Sequence, residues 1–195
     1  NTHDQTNDKE FSIDLSRIEV THAELSYLDH SSGQDLKFTV KSMSAGGGIR
    51  NKSAAFNMDI DAFISHFKKN KEIYLQNKPL SADLNLIADS VHFQVLNGKI
   101  SVNNAFFNLS GSVEKSKKSK TAPAGYTVGI KLNGKNLKIP LLTALLPDKK
   151  LLAPYHISGL ADLDIFIDGI WSSDEIPQIQ CNYHVKNGKF KDDSS

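Results

Sequence analysis

Three aspartates on one strand parity, Asp162, Asp164 and Asp168, are the first candidates for chemistry in this chain. Carboxylates side by side can pass protons as acid and base, or hold a divalent cation. A sheet that is wet on one side needs such residues anyway, and we read them as a solvated face. Trp171, the lone tryptophan, would add a stacking surface if this region bound or cleaved a glycan. The seven histidines are scattered; His22 and His30 are nearest, with Asp29 beside the second, and they read as polar surface around a turn. The single cysteine, Cys181, excludes an internal disulfide. It alternates with Ile179 and Tyr183, so the expectation is a buried, inert thiol. Gly46-Gly47-Gly48 lacks the Lys-Ser/Thr that completes a phosphate loop, so it reads as a break in the sheet or a flexible tip. No nucleophile motif and no zinc spacing occur, and neither catalysis, metal nor cofactor is expected.

The charge balance narrows the partners. Lys and Arg number 23 and Asp and Glu 22, a formal net charge of +1. Nothing replaces phosphate counterions on the scale that nucleic acid requires. The one basic cluster, Lys115, Lys117, Lys118 and Lys120, reads as a solvated hairpin tip, with anionic lipid as the alternative contact. No run approaches the ~20 apolar residues of a membrane-spanning helix. Residues 1–10 read as a polar leader and 191–195 as a truncated tail, so the expectation is a piece of a longer protein.

The elements that position these residues follow a two-residue period. Ile157, Gly159, Ala161, Leu163, Ile165 and Ile167 share one parity; His156, Ser158, Asp162, Asp164 and Asp168 share the other, with Leu160 and Phe166 as exceptions. Side chains alternate across a strand, so each run writes one apolar and one polar face. The same pattern recurs at Phe11–Leu15, Arg17–Leu28, Leu36–Val40, Ala54–Ala62, Leu80–Leu86, Val91–Val95, Ala105–Val113, Tyr126–Leu132 and Ile179–Val185. A slip near Thr21-His22 suggests a bulge or short turn. Asn97-Gly98, Asn133-Gly134 and Asn187-Gly188 read as turns, Lys78-Pro79 as a break, and Gly169 to Asp174 as a turn. Phe63 to Phe67 fits either strand or helix. Pro140 to Leu146 reads as a short apolar helix, packed over a sheet end or touching lipid. Leu96–Ile100 echoes Val185–Phe190, and Leu109–Val113 echoes Ile157–Ala161, a weak repeat of hairpins.

The order of several phrases resembles the AsmA family of Gram-negative envelope proteins, notably its Bacteroidetes-type members. Leu25-Ser26-Tyr27-Leu28-Asp29, Tyr74 to Leu80, Phe106 to Gly111, Gly134 to Leu142, Ile157-Ser158-Gly159 and Pro177-Gln178-Ile179 carry the likeness over most of residues 11–190. The resemblance implies a periplasmic β-rich body, held at the inner membrane by segments absent from this chain. It implies a role in outer-membrane assembly, with phospholipid carried along a β-groove and other envelope proteins as partners.

The expected fold is mainly β: an antiparallel, strongly curved sheet or open groove of repeated hairpins, with one or two short helices. It would occupy 11–190, with 11–116 and 125–190 as a finer division. The expected activity is non-enzymatic binding or conduction of phospholipid, with Phe38, Phe56, Phe107, Val128, Ile165 and Tyr183 as lining residues. A closed sandwich that binds another envelope protein through its edges or loops is the competing expectation.

Overall fold

In a computed structural model, the structure describes residues 12–30, 33–70, 72–116, 125–146, 155–172 and 175–192. The alternating runs become nine strands: β1 (Ser12–Asp29), β2 (Gln34–Arg50), β3 (Ser53–Lys69), β4 (Glu72–Ala88), β5 (His92–Val102), β6 (Ala105–Ser116), β7 (Gly125–Lys138), β8 (Tyr155–Trp171) and β9 (Gln178–Asp192). They form one sheet in sequence order, each strand antiparallel to the next, and β1 and β9 remain unpaired edges. The lone helix among the described residues, α1 (Ile139–Thr143), lies between β7 and β8.

Register carries the alternation across the whole sheet. Val20 pairs with Met43, Met43 with Ile60, Ile60 with Ala82, Ala82 with Ile100, and Ile100 with Phe107. Gly134 follows, then Leu163 and Tyr183. A side chain on Gly134 would meet the Phe107 ring at 2.9 Å, so the glycine leaves that ring its space. One residue along, Glu19, Ser44, Asp59, Asp83 and Lys99 are joined in the same way on the opposite face. Cross-strand partners point to the same side, so the sheet has one apolar and one polar face.

Long strands keep this pattern by absorbing extra residues as bulges, which bend a strand and increase its twist. In β1 the register shift lies between Leu15 and Ile18; His22, with φ 54°, interrupts the pairing between Thr21 and Ala23 without shifting it, where the sequence suggested a bulge or short turn. Six local expectations need correction. Gly46-Gly47-Gly48 sits inside β2, where a side chain on Gly47 would come within 2.0 Å of the Ala55 carbonyl oxygen. Asn97-Gly98 lies within β5 at a register shift, and Asn133-Gly134 within β7 beside another. Asn187-Gly188 lies within β9, opposite the shift between Ser158 and Leu160. Lys78-Pro79 does not break β4. Pro79 lies beyond the last paired residue of β5 and accepts from the Asn103 N–H, so its missing donor costs no ladder bond. Gly169 to Trp171 still belong to β8, and the turn closes later, where Ser172 N–H donates to the Glu175 carbonyl. Two tight hairpins instead use Asn51-Lys52 and Asn103-Asn104, all four at positive φ, as a two-residue turn of the favoured hand requires. Phe63 to Phe67 is strand.

The buried core is small and lies within the sheet. Ala105, Phe107 and Leu137 form its cluster, with Leu132 and Leu163 from the sheet and Leu141 and Leu142 from α1 packed against them. Pro140 lies in the first turn of α1, and the helix caps this part of the apolar face, as its composition suggested.

Candidate functional site: the apolar face of the sheet

All six expected lining residues fall on the apolar face. Phe38 pairs with Leu25 and Ile64, Phe56 with Leu86, Val128 with Val113, and Ile165 with Leu132 and Cys181. They differ in how open they are. Phe107 and Val128 are buried at 8% and 3% exposure and form the floor. Phe38, Phe56 and Ile165 are half-buried. Tyr183 is 74% exposed, because β9 has no neighbour beyond it and no layer above it among the described residues.

The same strand position corrects the reading of Cys181. It is on the apolar face, opposite Ile165, yet exposed. Alternation told which way the thiol points; it did not tell that the face stays uncovered there. Further exposed apolar groups extend this surface: Leu25 and Tyr27 on β1, Tyr126 and Trp171 at one end of β7 and β8, and Ile179, Val185 and Phe190 on β9. Their parity was visible in the sequence, but their exposure was not.

The acidic group belongs to the other side. The Asp162 carboxylate accepts from the Asn136 N–H at 2.8 Å and from Lys186 Nζ at 2.6 Å. Asn136 lies in the β7 bulge at φ 51°, so Asp162 ties down a backbone donor that the ladder does not use there. That N–H bond first, and Lys186 second, hold the Asp162 carboxyl below the usual carboxylate range. Asp164 accepts from Asn133 and lies 3.7 Å from Lys135. Asp168 is exposed. Trp171 stands opposite Tyr126 on the apolar face, so the three aspartates and the tryptophan do not converge. No group of three or more metal-ligating side chains that could hold an ion occurs among the described residues.

The remaining polar groups do structural work. Asp89 Oδ1 accepts from the N–H groups of Val91 and His92 at 2.8 Å, closing the β4–β5 turn and lowering its own pKa. Asp35 accepts from His66 at 2.9 Å, which is the leading cause of its lowered pKa. His22 and His30, one in the β1 bend and one after the strand, are both exposed. Lys117, Lys118 and Lys120 lie outside the described residues; Lys115 is the next-to-last residue of β6, opposite Tyr126. Among the described residues no helix is long and apolar enough to cross a membrane. Family models, curated proteins and solved structures contain no match to this chain.

Proposed function

We propose that this chain binds or conducts phospholipid along the apolar face of its sheet, as a non-enzymatic periplasmic segment of an AsmA-like envelope protein. The carrying observation is an apolar face that continues through nine paired strands, with only α1 laid on it among the described residues. Acyl chains on such a surface leave water at about 0.8 kcal/mol per CH₂. The floor is built by residues that pack within the sheet, and the rim by exposed ones, so lipid can be added without unfolding the core. Headgroups remain in water at the ends of the strands. No bond is made or broken, and the residues required are only apolar and contiguous.

The two unpaired edges favour a second reading, in which β1 or β9 adds a strand from another envelope protein. The readings separate by native mass spectrometry of protein purified from a Gram-negative periplasm. Lipid binding predicts co-purified phospholipid that is lost in an Ile179→Asp, Tyr183→Asp double variant. Both positions are exposed, so that variant keeps its fold. Lipid-free protein that also takes up no fluorescent phospholipid would overturn the lipid reading.

A further inference from the structure

The polar face carries a feature that lipid binding leaves unused. A trough of about 480 Å³ crosses the strands from β1 to β6. Five inter-strand steps of ~4.8 Å give it a length of about 24 Å. One wall is the row Thr21, Ser42, Asp61, Ser81, Ser101 and Phe106; the other runs through Glu19, Ser44, Asp59, Asp83 and Lys99.

Three observations set it apart from the rest of the polar face. Ser101 is 7% exposed, lines the trough, and its hydroxyl has no hydrogen-bond partner among the described residues. That hydroxyl is open to a ligand's donor or acceptor. Next to it across the strands, Phe106 is 67% exposed on an otherwise polar face. The two other phenylalanines on this face are covered by ammonium groups: Lys41 lies 4.3 Å from the centre of the Phe63 ring, and Lys131 5.3 Å from that of Phe166. Phe106 has no such cover among the described residues. Finally, Asp59 and Asp83 stand directly opposite each other, a repulsive arrangement across a strand pair, and Lys99 stands opposite Asp83. Arg17 pairs with Glu19 at 2.6 Å and Lys41 with Asp61 at 3.6 Å, whereas Asp59, Asp83 and Lys99 form no ion pair among the described residues.

The unpaired charges, two carboxylates and one ammonium, leave a single net negative charge, the wrong sign for a polyanion and too little for a polycation. It offers carboxylate acceptors, an ammonium donor, hydroxyls that do both, and one open aromatic ring. A chain of sugar rings has the complementary set: hydroxyls at its edges and C–H faces that stack on an aromatic. We propose that the trough binds a neutral oligosaccharide laid across the strands, with Phe106 stacking on one ring and Asp59, Asp83, Lys99 and Ser101 exchanging hydrogen bonds with its hydroxyls.

The test is calorimetric titration of the whole chain with maltohexaose, cellohexaose and chitohexaose, and with hexalysine as a cationic competitor. At least one hexasaccharide binds, Phe106→Ala weakens it tenfold or more, Asp83→Asn weakens it severalfold, and Phe166→Ala changes it less than twofold. Circular dichroism of each variant checks the fold. The proposal is overturned if no hexasaccharide binds at millimolar concentration, if Phe106→Ala leaves binding unchanged, or if only hexalysine binds. The apolar face is not involved, so failure here leaves the lipid reading standing.

Discussion

Asp162 shows how a residue chosen for its chemistry can be occupied by structure. Its carboxylate holds the N–H of Asn136 and the ammonium of Lys186, and the folded state therefore favours its charged form. A folded pKa below the unfolded value of ~4 stabilises the fold above that value, and the gain is lost as pH falls through the lowered folded pKa. Replacing Asp162 with Asn should lower the melting temperature at pH 7, with the gap to the unmodified protein shrinking steadily below pH ~4. A gap that stays constant down to pH 2 would contradict this role. The sequence placed Asp162 on a wet face correctly. Its partner Asn136 was not legible, because the need for a side-chain acceptor arises from a bulge in the neighbouring strand.

At the scale of the elements, the recurring phrases have a meaning other than hairpin turns. Leu96-Asn97 in β5 lies opposite Ser110 of β6, at the register shift between the pairs Val95–Gly111 and Gly98–Leu109. Asn187-Gly188 in β9 lies opposite Gly159 of β8, between the pairs Ser158–Lys189 and Leu160–Lys186, again at a shift. Each echo is thus a bulge on one strand set against a Ser-Gly step, Ser110-Gly111 or Ser158-Gly159, on the next. Asn-Gly is favoured wherever the backbone departs from regular β geometry, and long-range pairing decides whether that place is a turn or a bulge. A side chain on Gly159, at φ 125°, would come within 3.0 Å of the Asn187 and Lys186 carbonyl oxygens. One on Gly111, at φ 147°, would come within 2.2 Å of the Gly129 carbonyl oxygen. Gly111→Ala and Gly159→Ala should each destabilise the protein by ~2–4 kcal/mol in urea titrations. Gly129→Ala should stay within ~0.5 kcal/mol, since its added methyl meets only Asp168 Oδ1, at 3.7 Å. Equal losses at all three would show that close backbone approach at Gly111 and Gly159 does not limit the fold.

For the whole molecule, period-two alternation was enough to read an antiparallel sheet of hairpins, and the apolar run between prolines was enough to read α1. Exposure could not be read in the same way. Alternation assigns a side chain to a face, and only the three-dimensional arrangement says whether that face meets a second layer, which is why Cys181 is open and Phe107 is closed. The chain's accessible surface is 14134 Å². A compact monomer of 21.5 kDa has ~9,200 Å². The exposed apolar residues of β1 and β9 flank the buried floor and make the face continuous from edge to edge, which a lipid track requires and a closed sandwich does not. Charged side chains toward the end of β9, Lys186, Lys189 and Lys191, suit an edge strand that must avoid indiscriminate pairing.

Tyr183 and Asn182 are neighbours in β9 and point to opposite faces, toward Leu163 and Asp164 respectively. That pair gives the most direct measurement: a photoreactive benzoylphenylalanine placed at one or the other position, followed by irradiation with phospholipid vesicles and mass analysis of the protein. Lipid held on the apolar face predicts phospholipid adducts from position 183 and a yield at least fivefold lower from position 182. Equal yields from the two positions, or none from 183, would contradict the proposal that this face carries lipid.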